Sequence, residues 1–169
     1  AMTTTGFTTA PFYQWTGFLP VLLICIAFIG GCAGSTAGGM KVIRIILLYK
    51  QSIREVRRLI HPHAVIPVKV GGQRTSDTVL SAVCGFHFLT HPNYAVMTVL
   101  HTATGLDAET AYTAVGACIT NLGPALGEAG PTSATLHDPA KVILSIEMLL
   151  GRLEVYTLLV LLTPAFWRD

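Results

Sequence analysis

The chain has 169 residues, 51% hydrophobic and 12% charged, with a formal charge of +2 and a mean hydropathy of +0.59. The charged share is about half that of an ordinary globular domain, which weighs against a soluble protein. Eight of the 11 basic residues lie between Lys41 and Arg74, between two apolar segments, which reads as a cytoplasmic loop rather than a nucleic-acid patch.

In chain order, Thr3 to Pro11 reads as a hydroxyl-rich loop around Gly6. A membrane helix is predicted from about Trp15 to Gly30, with Tyr13 and Trp15 in the interfacial aromatic belt. The run from Gly30 to Gly39 then sets five glycines, Ser35 and Thr36 inside an apolar stretch. Each Gly costs about 1 kcal/mol in a helix interior, so a real break is predicted. Irregular backbone at membrane depth survives only when buried in protein or lining a wet cavity. Carbonyls freed there can replace an ion's hydration shell. The helix is predicted to resume near Met40 and to leave the membrane near Lys50. Gln51 to Ile60 reads as amphipathic and basic, a solvated or surface-lying helix.

His61 to Gly72, with Pro62 and Pro67, reads as an extended piece with turn signals. A helix start is predicted at Thr75-Ser76-Asp77, and Val79 to Thr104 as a full membrane span. Its polar stretch from His87 to Asn93 predicts an irregular helix. Asp107-Ala108-Glu109-Thr110 opens a short helix to about Thr120, too short to cross a bilayer. A loop, Asn121-Leu122-Gly123-Pro124, follows. Asp138-Pro139 starts a last helix predicted to reach about Thr163.

This order is helix, half-helix, Gly loop, helix, preceded by the tail of the same pattern. It is the organisation of a cation pore. A secondary transporter with a broken-helix substrate site is a competing reading, and a non-conducting interaction module is another. The repeated units read as parallel, which favours the pore. Enzyme motifs fail: Ser35 has no Gly two residues before it, and Met40 interrupts a P-loop-like run that ends at Lys41 without Ser or Thr. The dispersed Cys25, Cys32, Cys84 and Cys118 read as small buried hydrophobes. His61 and His63 offer two ligands without a third, so no transition-metal site is expected. His87 and His91 share a helix face and read as a buried polar pair.

Gly6 and Gly123 allow backbone closed to residues with a Cβ. Thr4, Thr5 and Asn121 can brace such loops, and the half-helix before Thr120 points its negative end at them. An ordinary Gly turn is the alternative. Arg152, placed mid-span, must face protein or water and find a partner. The candidates are the carbonyls of Gly34 to Gly39, Glu147 and Glu154. A structural ion pair with a glutamate can coexist with a role at the loop.

Four pieces stand in a specific order and spacing: Thr3-Thr4-Thr5-Gly6-Phe7-Thr8-Thr9, Gly30 to Lys41, Asn121-Leu122-Gly123-Pro124, and Gly151-Arg152-Leu153-Glu154-Val155. Together they resemble the C-terminal third of the membrane subunit of Trk-type bacterial potassium uptake systems, the TrkH/TrkG group of the Trk/Ktr/HKT superfamily. The resemblance covers nearly the whole chain. It implies an all-α, multi-pass protein of the bacterial inner membrane. Helix–pore loop–helix repeats would surround a pseudo-fourfold cation pore, with one helix broken by a Gly-rich intramembrane loop. Residues 1–50 would be the filter loop and broken pore-lining helix of the third repeat, 51–77 a cytoplasmic basic connector, and 78–169 the fourth repeat. The resemblance assigns the potassium filter to Thr4, Thr5, Gly6, Phe7, Thr120, Asn121, Leu122 and Gly123. It assigns gating to Gly30, Gly31, Gly34, Ser35, Thr36, Gly38, Gly39 and Arg152. Potassium is the only ion or cofactor implied. Implied partners are membrane lipid, a second copy of the full-length protein and a cytosolic nucleotide-binding regulatory subunit. With two repeats missing, the chain is expected to be a C-terminal portion. Residues 3–11 and 128–137 are expected outside and 50–74 inside.

Overall fold

The computed structural model describes residues 3–7, 9–15, 17–35, 37–130, 132–153, 160 and 163–167. Its frame is five helices: α1 (Leu19–Ile29), α2 (Val42–Ile60), α3 (Asp77–Ala103), α4 (Ala108–Ile119) and α5 (Asp138–Leu153). Between α2 and α3 lies a hairpin of β1 (Lys69–Val70) and β2 (Gln73–Arg74).

A short helix lies at the centre. α4 has 12 residues, and all but one from Thr110 to Ile119 are buried. Asp107 caps it, its carboxylate accepting from the Thr110 N–H at 3.1 Å, which satisfies one of the amides a helix start leaves open. Small residues, Ala111, Ala114, Gly116 and Ala117, let α3 and α5 approach closely. The main core joins these alanines to Leu106, Leu136, Ala140 and Leu144. The return segment hangs on α4 hydroxyls: Thr113 Oγ1 accepts from the Leu126 N–H at 3.1 Å, and Thr110 Oγ1 from the Glu128 N–H at 3.2 Å.

The break after α1 is real. Pro20 stands in the first turn of α1, where its missing N–H costs nothing, and Gly30 ends the helix with φ +71°. α2 is one continuous helix from Val42 to Ile60, running through Lys50. Nothing in its sequence breaks the backbone there; only the side-chain chemistry changes, from Ile45-Ile46-Leu47-Leu48 to a basic second half. Leu47 packs with Val68, Leu80 and Val83, fastening α2 and the hairpin strand to α3. Gly71 and Gly72, with φ +57° and +82°, make the two-residue turn that matches strand twist.

α3 is more regular than its composition predicts. Ser76 caps it, and it runs unbroken for 27 residues past Pro92. Among the described residues, no helix is long and apolar enough to cross a membrane. α1 is apolar but has only 11 residues, about 16 Å of rise. α3 is long enough, but His87, Thr90, His91 and Asn93 dilute its hydropathy. The predicted remainder of α5 lies largely outside the described residues. The cysteines divide: Cys118 is buried as expected, whereas Cys25 and Cys32 are exposed.

At the base of α2, Arg54 is buried and donates to the exposed Asp77 at 2.7 Å. The Arg54 guanidinium holds the Asp77 carboxyl below its ordinary 3.8. A lowered folded-state value stabilises above the unfolded value, and that stability is lost as pH falls through the folded one. Wild type is therefore expected to melt higher than Asp77→Asn at neutral pH. The two melting temperatures should converge as pH drops below 3.8; a gap that persists into acid would show that the carboxylate charge is not what matters.

Candidate functional site

Two short loops meet against the glycine break. The first, Thr4-Thr5-Gly6, has φ +50° at Thr4 and +75° at Gly6. The second, Asn121-Leu122-Gly123, has φ +53° at Asn121 and +95° at Gly123. Left-handed backbone thus recurs at the first and third positions of both. For Thr and Asn it is uncommon, and two matching instances make it a repeated device. A backbone that alternates hand can turn successive carbonyls toward one side, where a cation can meet them. The loops touch: a Cβ on Gly6 would come 2.5 Å from the Leu122 carbonyl oxygen and 3.3 Å from Pro124 Cδ.

The second loop is held by the end of α4. The Leu122 N–H donates to the Ala117 carbonyl at 2.8 Å, and the Asn121 N–H to Cys118 at 3.0 Å. These bonds occupy carbonyls that a helix end leaves open. Thr120 is buried, its hydroxyl turned back to the Gly116 carbonyl at 2.8 Å. The negative end of α4 therefore faces Asn121 to Gly123.

The glycine loop reaches both. The Gly38 N–H donates to Thr4 Oγ1 at 2.9 Å. A Cβ on Gly38 would overlap the Thr120 carbonyl oxygen and lie 3.2 Å from Asn121 Cβ. The loop is closed on itself by the Met40 N–H to Phe28 carbonyl bond, 3.0 Å, and the Val42 N–H to Gly31 carbonyl bond, 3.1 Å. The Ser35 hydroxyl donates to the Cys32 carbonyl at 2.9 Å. A Cβ on Gly30 would collide with the Gly38 carbonyl oxygen, whereas one on Gly34 would meet nothing within 4 Å. Thr36 lies outside the described residues.

Of the residues assigned to a filter, the structure brings together Thr4, Gly6, Thr120, Asn121, Leu122 and Gly123. Thr5 is exposed, its hydroxyl 2.9 Å from that of Thr3. Phe7 stands 93% exposed, away from the cluster. Arg152 reaches the glycine loop: with Ser35, Ala37, Gly38, Lys41 and Gly151 it lines a cavity of about 130 Å³. Of its expected partners, Glu147 is committed elsewhere and Glu154 lies outside the described residues. Glu147 Oε1 is 3.1 Å from His101 Nε2, and both side chains are fully buried. His87 and His91 do share a face, with ring centroids 4.0 Å apart, but within this chain the expected burial is not seen: His87 is half-buried and His91 exposed.

Sequence reasoning missed two features. One is the His101–Glu147 pair, 46 residues apart in the chain. The other is Gly151, where a Cβ would overlap the Ile119 carbonyl oxygen and come 2.8 Å from Asn121 Nδ2. A glycine inside a helical stretch costs about 1 kcal/mol, which was the available signal for a close backbone approach.

Comparison with known proteins follows this geometry. A family model described as TrkH, cation transport protein, matches residues 1–168. The chain is 55% identical over 166 residues to a Trk system potassium uptake protein TrkH of Halomonas elongata, covering 98% of this chain and 34% of that protein. It is 51% identical over 167 residues to TrkH of Escherichia coli, covering 99% and 35%. The crystal structure of the potassium transporter TrkH from Vibrio parahaemolyticus superposes with a TM-score of 0.89 at 52% identity, covering 99% of this chain and 36% of that one. The chain therefore spans about a third of the length of these relatives. These relatives are transport proteins, not enzymes. The chain belongs to the TrkH family of cation transport proteins.

Proposed function

We propose that this chain is the C-terminal part of a potassium-translocating, multi-pass subunit of the bacterial inner membrane, with its two positive-φ loops as filter segments. The observation that carries the reading is the recurrence of left-handed backbone at Thr4 and Gly6 and at Asn121 and Gly123, both loops lying against one glycine break. Carbonyls so arranged replace an ion's water without covalent chemistry. The relatives' names supply potassium. Gly30 to Gly39 act as the gate beneath the filter, and Arg152 beside it repels a permeating cation and holds the loop. Large exposed apolar side chains, such as Phe18, Phe88, Val99 and Leu149, face lipid or the two repeats this chain does not include. In this reading the full-length protein pairs with a second copy and takes a cytosolic nucleotide-binding regulator.

Gly6→Ser and Gly123→Ser in the full-length protein test the filter. A left-handed Ser costs about 1–2 kcal/mol, so potassium-over-sodium preference should fall about tenfold in each. Gly6→Ser should be the more severe, because its Cβ also meets the Leu122 carbonyl; Gly123→Ser adds strain alone. Unchanged ion competition in uptake assays of both folded variants would remove these loops from the filter.

A further inference from the structure

We infer that the groove between the second half of α2 and the segment leading into β1 binds the phosphate headgroup of an anionic phospholipid. The groove encloses about 280 Å³ and is lined by Tyr49, Lys50, Ile53, Arg57, Ile66 and Lys69 among others. That volume lies near the small end of the roughly 300–1,000 Å³ usual for ligand sites. The Lys50 ammonium donates to the Lys69 carbonyl at 2.6 Å, fastening one wall to the other. Arg54, at the base, is committed to Asp77 and Glu55, and Glu55 also takes Arg58. Among the described residues, no carboxylate stands within ion-pair distance of Lys50, Arg57 or Lys69. Three cationic groups thus converge on a concave site with an apolar floor of Ile53, Ile66 and the buried Val68.

Placement selects the occupant. The groove begins where α2 changes from Ile45-Ile46-Leu47-Leu48 to basic chain, with Tyr49 67% exposed at the change. Aromatic and basic side chains at such a boundary mark headgroup depth. Beyond it, Leu59, Ile60 and Val65 are exposed among the basic residues, apolar surface that acyl chains can cover. An acidic protein segment would be matched by the charges but not by these apolar side chains. The inference rests on the membrane reading and is independent of the filter and gate.

The test uses the purified full-length protein. Native mass spectrometry with added phosphatidylglycerol or phosphatidylcholine reports binding, and potassium flux in proteoliposomes reports the pore separately. Wild type should retain phosphatidylglycerol in preference to phosphatidylcholine. Arg57→Gln/Lys69→Gln should weaken that retention about tenfold or more, at about a kcal/mol per removed charge near the surface. Arg58→Gln/Arg74→Gln, which removes equal charge outside the groove, should not. Photoactivatable phosphatidylglycerol should crosslink to peptides containing residues 49–57 and 66–69, which keeps the proposal testable if the double variant folds poorly. Equal loss in both double variants, crosslinks elsewhere, no headgroup preference, or displacement by millimolar inorganic phosphate would overturn it. So would competition by polyglutamate with no lipid retention, which would assign the groove to a protein.

Discussion

Gly38→Ala in the full-length protein is expected to unseat the glycine loop and raise potassium flux at least fivefold, whereas Gly34→Ala is expected to change nothing. The two glycines lie in one loop, four residues apart, and differ in what a methyl group would meet. At Gly38 it would overlap the Thr120 carbonyl oxygen, a backbone atom that cannot swing aside. At Gly34 it would meet open space, and φ there is not in the left-handed region. Overpacking of this kind costs about 1–3 kcal/mol, enough to lower the seated population fivefold to more than a hundredfold. Gly38 also carries the N–H that bonds Thr4, so its displacement releases both loops at once. The measurement is potassium flux into proteoliposomes, with expression and size-exclusion behaviour checked first. Equal flux in wild type and both variants would make the loop a structural filler, and a matching rise in Gly34→Ala would place the effect in the loop's flexibility rather than its seat.

What was legible in the chain was local. The Asp107 cap, the short α4, the break after Ile29 and the Ser76 start all follow from neighbouring residues, because capping, glycine cost and helix length act over a few positions. The change at Lys50 was legible as side-chain chemistry alone, and α2 runs on through it because backbone propensity does not change there. The polar stretch from His87 to Asn93 does not make α3 irregular, since a long helix packed on its neighbours carries polar side chains and even the lost hydrogen bond of Pro92. The candidate site was legible as residue types but not as contacts. Gly38 meets Thr4 across 34 residues, and Arg152 reaches the glycine loop from α5. Phe7 shows the converse: a place beside Gly6 in sequence does not bring its side chain into the cluster. Positive φ at Thr4 could not be read from a β-branched residue that rarely adopts it, whereas Asn121 is of a type that adopts it more often.

The His101–Glu147 pair is expected to be the costliest pair to break on one side and a cheap one to replace whole. It ties α3 to α5 across the flank of α4, at 3.1 Å and with both side chains fully buried. Glu147 lies one turn before Gly151, which packs on the Ile119 carbonyl behind the second loop, so the tie fixes the height of α5 against that loop. Removing one partner strands the other polar group where water cannot reach it. That costs about 3–5 kcal/mol in a protein core and about 1–2 kcal/mol between helices in lipid. His101→Leu and Glu147→Leu singly should each destabilise the full-length protein by about 2–4 kcal/mol in equilibrium unfolding from detergent. Leu is close enough in volume to leave packing largely intact, so the double variant should recover most of the loss rather than add to it. Such a cycle isolates the pairwise part of the energy. Additive losses in the double variant would mean that the two side chains act through separate contacts, and that α3 and α5 are held against α4 by packing alone.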